Sequence, residues 1–379
     1  MKIGFTGGGT GGHFYPLIAV AQELHKILDE EKIVDATFYY FSDVPYDEVA
    51  LFETEMRFVK ITAGKKRLYR SWENIRDYFK VGWGILVALR QLYRIYPDVI
   101  FGKGGYASFP TLMAARLLGI PVVLHESDSA PGRVIQIAAR SAKYLALSFS
   151  EAEPYFKNTK AEIIHTGPPL RRDIVKPITE GAREYLKLEP ETPVLFILGA
   201  SSGALVINDT IMAALPELLK TFQVIHQTGS QHIEDVEKQA HSQLESDPFK
   251  KRYHPYAFLN PLAMRMAAGV ASVIAARAGS STIFEIAAWG IPSVLIPITV
   301  SNLDHQRKNA YNYARTGAAF VIEEGNLSPH LLTTELLRIQ HDEELSQQMS
   351  EAALQFAKPN AARTIAEMLL TIALRHEKD

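Results

Sequence analysis

Short apolar runs alternate with longer stretches in which apolar positions recur every three or four residues, and this rhythm holds along the whole chain. In the first half the runs are Ile3–Thr6, Ala36–Phe41, Asp98–Phe101, Pro121–Leu124 and Tyr144–Leu147. In the second they are Val194–Leu198, Phe222–His226, Val270–Ala275 and Ser293–Pro297. Each reads as a strand, and intervening stretches such as Pro16–Leu28 and Ile207–Leu219 read as helices. Strands punctuated by helices imply parallel sheets with crossover helices, so the fold class is α/β. The rhythm restarts at Pro193, after a charged, proline-bearing stretch from Arg171 to Pro190. That restart predicts two doubly wound parallel-sheet domains facing a cleft, spanning 1–166 and 167–359 with a hinge near Thr166–Pro169. Pro359 breaks a helical pattern and Asn360 is placed to cap a last helix from Ala361 to His376, within a segment of about 360–379 expected to pack back on the first domain.

Two turns of similar design follow strands in opposite halves: Gly7-Gly8-Gly9-Thr10-Gly11-Gly12-His13 and Gly199-Ala200-Ser201-Ser202-Gly203-Ala204. A glycine turn between a strand and a helix presents backbone N–H groups to an anion. Neither turn ends in Gly-Lys-Ser/Thr, which excludes a P-loop. The first satisfies a bare G-x-G-x-x-G, but the acid expected about 20 residues further on is missing, and Asp43 comes later than that pattern requires. A tight turn needing positive φ is the alternative for either one alone. Two at corresponding places point to two phosphate-bearing ligands, gathered where strands end. A third cluster, Gly102-Lys103-Gly104-Gly105-Tyr106-Ala107-Ser108, follows Asp98–Phe101. With the first turn it makes a cradle suited to a diphosphate, with Lys103 as counter-charge.

Composition narrows the ligands. A length of 379 residues allows two or three domains, and a net charge of −2 gives no reason to expect nucleic acid as a partner. The absence of cysteine removes disulfides, thiolate metal sites and cysteine nucleophiles, and fits a reducing compartment. There is no H-E-x-x-H, paired D-x-D or histidine cluster, so neither a metal nor another cofactor is expected. The apolar stretch Val81–Leu89 falls short of the ~20 residues of a membrane span, and Met1 leads straight into a strand, so neither secretion nor a transmembrane segment is expected.

Gly64–Arg94 departs from that neutrality, with Lys65, Lys66, Arg67, Arg70, Arg76, Lys80, Arg90 and Arg94 against Glu73 and Asp77. Leu68, Trp72, Ile75, Phe79, Leu86, Leu89 and Tyr93 fall on a three-four spacing. Such a stripe suits the core face of a crossover helix. The basic and aromatic residues outside it suit a surface that binds anionic lipid.

The segments GGGTGGH (Gly7–His13), GKGGYAS (Gly102–Ser108), HESD (His125–Asp128), GPPLR (Gly167–Arg171), GASSGA (Gly199–Ala204), STIFEIAAWGIP (Ser281–Pro292) and DHQRKNA (Asp304–Ala310) appear in this order. Together they resemble the MurG family of peptidoglycan-synthesis transferases, in the GT-B superfamily. The resemblance implies two Rossmann-like domains and an inverting, metal-independent transfer of N-acetylglucosamine from UDP-GlcNAc. The acceptor is the 4-hydroxyl of the muramyl sugar on lipid I, a polyprenyl-diphosphate-linked muramyl peptide, and the product is lipid II. It further implies a peripheral enzyme on the cytoplasmic face of the cell membrane, with the acceptor in the N-terminal half and UDP-GlcNAc in the C-terminal half. Rival readings are another GT-B glycolipid glycosyltransferase, a UDP-GlcNAc 2-epimerase, and a nucleotide-sugar-binding protein without catalysis.

By match to the family motifs, His13 is the candidate base, since an imidazole can take a proton near neutral pH; a histidine capping its own turn is the alternative. Glu126 is placed to orient His13 or the acceptor, or to act as base itself. The acceptor side also takes Gly9, Lys103, Gly104, Gly105, Tyr106, Ser108 and His125. Core packing is the alternative for Tyr106, and helix capping for Ser108. The donor side takes Thr10, Gly11, Gly12, Asp128, Arg171, Ser201, Ser202, Gly203, Glu285 and Gln306. Arg171 would hold the diphosphate as charge grows on departing UDP, unless it is a surface residue beside Arg172. Glu285 would accept hydrogen bonds from ribose hydroxyls, unless it caps its helix. Gln306 would meet donor-sugar hydroxyls. Asp128, Pro168, Ala200 and Ser202 depart from the commoner Asn, Asn, Gly and Gln; an aspartate accepts a hydrogen bond but cannot donate one.

Overall fold

In the computed structural model, residues 1–64, 72–199, 204–299 and 304–376 are described; side chains are described for these residues except 72–79, 375 and 376. The chain divides into two compact units, Met1–Arg171 with Lys358–Asp379, and Arg172–Ala357. Each is built on one parallel sheet.

The first unit holds β1 (Lys2–Thr6), β2 (Thr37–Ser42), β3 (Met56–Lys60), β4 (Val99–Gly102), β5 (Val122–Glu126), β6 (Tyr144–Leu147) and β7 (Glu162–His165), in the order β3-β2-β1-β4-β5-β6-β7. The second holds β8 (Val194–Leu198), β9 (Gln223–Gln227), β10 (Tyr253–Tyr256), β11 (Val273–Ala276), β12 (Ser293–Leu295) and β13 (Ala319–Val321), in the order β10-β9-β8-β11-β12-β13. The apolar runs of the sequence are the inner strands, covered on both faces and therefore continuously hydrophobic. The strands they do not reveal are the four edges, β3, β7, β10 and β13, where one side of the ladder has no neighbour. Partial exposure there lets Arg57, Glu162 and His254 enter the strands and blurs the pattern.

In both sheets the order reverses beside the first strand, between β1 and β4 and between β8 and β11. A ligand gathers at such a switch point, outside the carboxyl ends of the strands. The first and third glycine clusters follow β1 and β4, and the second begins at Gly199, directly after β8.

Two expectations shift. The first helix is Gly11–Glu30 and starts ahead of Pro16, because Thr10 O accepts the N–H groups of His13 and Phe14 at 3.1 and 3.2 Å. His13 therefore lies inside the first helical turn. Residues 167–171 belong with the first unit, beyond the boundary expected at 166. Gly167 N donates to Leu147 O at 3.3 Å, and the Arg171 guanidinium lies 4.5 Å over the Tyr15 ring. Helix Ala361–His376 packs on helix Gly11–Glu30, and Arg363 pairs with Glu30 at 2.8 Å.

In helix Trp72–Ile95, Leu89 of the expected stripe packs against the core, while two other stripe positions point outward. Ala88 and Leu92 are fully buried, and Gly84 lies so close to the chain after β3 that a Cβ there would fall 2.0 Å from Thr62 O. Leu86 and Tyr93, from the expected stripe, are 58% and 72% exposed, as is Trp83 at 62%. The core-face alternative therefore fails for these two positions: close packing at Gly84 and Ala88 brings the backbone in and leaves Trp83, Leu86 and Tyr93 outside, while Leu92 is buried. Lys65, Lys66, Arg67, Leu68 and Arg70 lie outside the described residues.

Candidate active site

In the first unit the two glycine clusters form one structure. Lys103 N donates to Thr6 O at 2.9 Å, which brings the loop after β4 against the turn after β1. Gly105 has φ +80°, and a Cβ there would fall 2.7 Å from Gly8 O and 3.4 Å from the His13 ring. Gly9 has φ +86° and the Tyr106 ring 2.7 Å from where its Cβ would be. Both positions demand glycine, by conformation and by space. His13 is half-buried, and its Nδ1 lies 2.8 Å from Thr10 Oγ1. Thr10, Gly9, Gly11 and Gly12 stand at or near the surface of the same turn.

Behind the cradle, β5 supplies a buried polar cluster. Glu126 accepts the N–H of Asp128 at 3.0 Å on one oxygen and that of Gly132 at 2.9 Å on the other. Burial, then the neighbouring Asp128 charge, push its carboxyl well up, against the pull of Lys103 and the two N–H groups. The Lys103 ammonium is buried and donates to Ser127 Oγ. Burial also holds its pKa down, with Glu126 and Asp128 opposing. His125 is buried; desolvation and the Lys103 charge hold it well below the usual imidazole range, so it is neutral. Its Nε2 donates to Gly167 O at 3.0 Å, which secures the 167–171 segment.

These contacts revise three sequence expectations. Ser108 is fully buried and its hydroxyl donates to Gly105 O at 2.9 Å, so it helps build the turn. His125 and Lys103 are likewise enclosed and hold the cradle from behind. Tyr106 donates to Asp43 Oδ2 at 3.0 Å, and its ring covers Gly9. Gly104 has φ +81° and faces Ile135. Arg171 rests on Tyr15, whose hydroxyl donates to Asp47 at 3.3 Å.

In the second unit, Gly199 ends β8 beside β9, with Gln227 O 3.1 Å from the place of a Cβ, and helix Leu205–Leu218 follows. Ser201, Ser202 and Gly203 lie outside the described residues, as does Ala200. Asn208 ties the start of that helix to β9: its Oδ1 lies 3.1 Å from His226 Nε2, and its Nδ2 donates to Thr228 O at 3.0 Å. On the other side of the switch point, helix Ser280–Trp289 begins behind Gly279. Thr282 occupies the third helical position, and Glu285 stands in the second turn of this helix. Gln306 Oε1 accepts Ile298 N–H at 3.1 Å, which turns its NH2 the other way. Among the described residues no group of His, Asp or Glu is arranged to hold a metal ion.

Sequence reasoning missed two features here. Arg277, buried at the end of β11, pairs with Glu324 at 2.7 Å and donates to Ile296 O at 3.1 Å, while Glu324 also accepts Thr299 N–H at 2.9 Å. Their separation along the chain hides this brace for the loop leading to Gln306. Phe258, 58% exposed just past β10, presents an aromatic face at the same carboxyl end of the sheet. An aromatic ahead of Asn260-Pro261, in the loop after a strand, was its only signal.

Residues 3–146 match the Glycosyltransferase family 28 N-terminal domain, and residues 194–365 match the family 28 C-terminal domain. The chain is 32% identical to the UDP-N-acetylglucosamine–N-acetylmuramyl-(pentapeptide) pyrophosphoryl-undecaprenol N-acetylglucosamine transferase of Treponema denticola, over 99% of this chain and 98% of that one. The transferase of the same name from Natranaerobius thermophilus is 33% identical, over 97% and 99%. Among solved structures, MurG of Acinetobacter baumannii is similar at a TM-score of 0.74 and 26% identity, covering 98% of this chain and 99% of its own. A UDP-GlcNAc 2-epimerase from Neisseria meningitidis, bound to UDP-GlcNAc, has a TM-score of 0.68 at 14% identity over 98% and 100%, a likeness of fold alone.

Proposed function

The chain belongs to the MurG family within glycosyltransferase family 28, and on that premise we propose that it moves N-acetylglucosamine from UDP-GlcNAc to the 4-hydroxyl of the muramyl sugar of lipid I, with inversion, making lipid II for peptidoglycan synthesis. The observation that carries this reading is full-length similarity to transferases of that name, in a chain whose two sheets each have a glycine-rich segment following the strand at the switch point. Radiolabelled transfer from UDP-GlcNAc to a soluble lipid I analogue tests it. Labelled lipid-linked disaccharide is the expected product; UDP-linked epimer formed without acceptor would favour the epimerase reading instead.

Each reactant has a natural seat. The cradle of Gly9, Gly104 and Gly105 takes the acceptor diphosphate on backbone N–H groups. The start of helix Leu205–Leu218, with Ser201, Ser202 and Gly203 before it, takes the donor diphosphate, and the helix dipole stabilises the charge on departing UDP. Glu285 accepts the ribose hydroxyls, Gln306 donates its NH2 to the donor sugar, and Phe258 stacks on uracil.

The proton follows from the turn. For His13 to act as base through Nε2, its Nδ1 must carry hydrogen and donate to Thr10 Oγ1, at the 2.8 Å observed between them. The 4-hydroxyl then gives its proton to Nε2 as its oxygen bonds to the anomeric carbon and the bond to UDP breaks. Glu126, with both oxygens already accepting backbone N–H groups, shapes the loop at Asp128.

The acceptor's lipid tail calls for a membrane surface, and no described helix is long and apolar enough to cross one. Exposed Trp83, Leu86 and Tyr93, near Arg90 and Arg94, fit a peripheral footprint on anionic lipid at the cytoplasmic face. Replacing Trp83, Leu86 and Tyr93 together with serine is expected to lower cosedimentation with anionic liposomes by about tenfold or more. Unchanged pelleting contradicts this footprint.

A further inference from the structure

Side chains from the carboxyl end of β2, outside every motif considered so far, hold the first glycine turn from behind. Tyr40 Oη donates to Gly7 O at 2.8 Å, and Ser42 Oγ lies 3.2 Å from the same carbonyl. Both residues are fully buried. The turn sits directly on them: a Cβ on Gly8 would fall 2.8 Å from Ser42 Oγ and 3.0 Å from Tyr40 Oη. Burial pushes the Tyr40 phenol up to about 12, so it stays a hydrogen donor at neutral pH. One residue on, Asp43 accepts the Tyr106 hydroxyl and fixes the ring that covers Gly9.

A trans peptide points its C=O and N–H in opposite directions. Drawing the Gly7 carbonyl inward onto two hydroxyls therefore turns the Gly8 N–H away from the core, toward the mouth of the cradle. Without those donors the buried carbonyl is left unsatisfied and gains by rotating toward solvent, where its oxygen would repel an anion. We propose that Tyr40 and Ser42 are positioning residues that set the Gly7–Gly8 peptide so that the turn offers N–H, and not C=O, to the acceptor's diphosphate. The proposal rests on the reading that this turn seats that diphosphate.

Steady-state kinetics with UDP-GlcNAc and a soluble lipid I analogue test it on Tyr40→Phe, Ser42→Ala, the double variant and Ser42→Thr. The double variant is expected to raise the acceptor KM about tenfold. UDP affinity, measured by calorimetry without acceptor, is expected to stay unchanged, and Ser42→Thr, which keeps the hydroxyl, to behave as wild type. Tyr40→Phe removes a single oxygen and keeps the test open should the double variant fail to fold. An unchanged acceptor KM, or donor and acceptor constants rising together, overturns the proposal. Gly9→Ala probes the reading beneath it. If Gly9→Ala raises the acceptor KM and the β2 variants do not, only the clamp is wrong; if Gly9→Ala also leaves it unchanged, the turn is not the seat of the diphosphate.

Discussion

His13→Ala is expected to lower kcat by about a hundred- to ten-thousandfold, the range for losing a general base, while leaving UDP affinity unchanged. The separation follows from where the residue sits. His13 lies in the first turn of helix Gly11–Glu30, beside Gly105 and within reach of Thr10, and so belongs to the first unit's cradle. UDP is assigned to the second unit, so an alanine at 13 removes the proton's destination without touching the nucleotide. Thr10→Val adds a graded check: it deletes the group that fixes Nδ1–H and leaves the imidazole in place, so its kcat is expected to fall less than that of His13→Ala. Single-turnover rates in a quench-flow instrument, with UDP binding by calorimetry, separate chemistry from affinity. A loss of UDP affinity in His13→Ala equal to the loss in turnover would contradict the assignment of ligands to the two units.

The converse is expected at Glu285. Glu285→Ala weakens UDP binding about ten- to a hundredfold, as for losing hydrogen bonds to a charged acceptor worth ~1.5–3 kcal/mol, and leaves the acceptor KM unchanged. The half-buried carboxylate stands in the second turn of helix Ser280–Trp289, and that helix begins at the switch point between β8 and β11. Gly279 is the N-cap of that helix, three residues ahead of Thr282 and six ahead of Glu285. Competition between UDP and uracil is a useful second readout. If the carboxylate holds ribose hydroxyls, Glu285→Ala affects UDP and leaves the far weaker binding of the free base unchanged.

What the sequence discloses follows from burial. Val194–Leu198 reads as a strand because every residue in it is buried, whereas Tyr253–Tyr256, at the edge of the same sheet, mixes His254 and Pro255 with two half-exposed tyrosines and gives no run. The glycine clusters were legible because strand-turn-helix spacing survives in one dimension. Their placement at the two switch points, and hence the α/β two-sheet fold, follows from strand order. The supports behind the cradle were not legible. Tyr40 reads as an ordinary position of the run Ala36–Phe41 and Ser42 falls just past it, and only the crossover that lays β2 beside β1 brings their hydroxyls to Gly7. Ser108 reads as a ligand contact for the same reason: its motif shows proximity to the turn, while its burial as the N-cap of helix Phe109–Leu118 is a property of the fold. On helix Trp72–Ile95 the spacing misplaces Leu86 and Tyr93, because the backbone comes in close at Gly84 and Ala88.

The division of ligands between the units is open to a direct measurement, amide hydrogen exchange with and without saturating UDP. UDP is expected to slow exchange in peptides covering 199–207 and 279–285 and to leave 7–13 and 102–108 as they were. Protection confined to 7–13 would place the nucleotide on the first turn and contradict the account at its base.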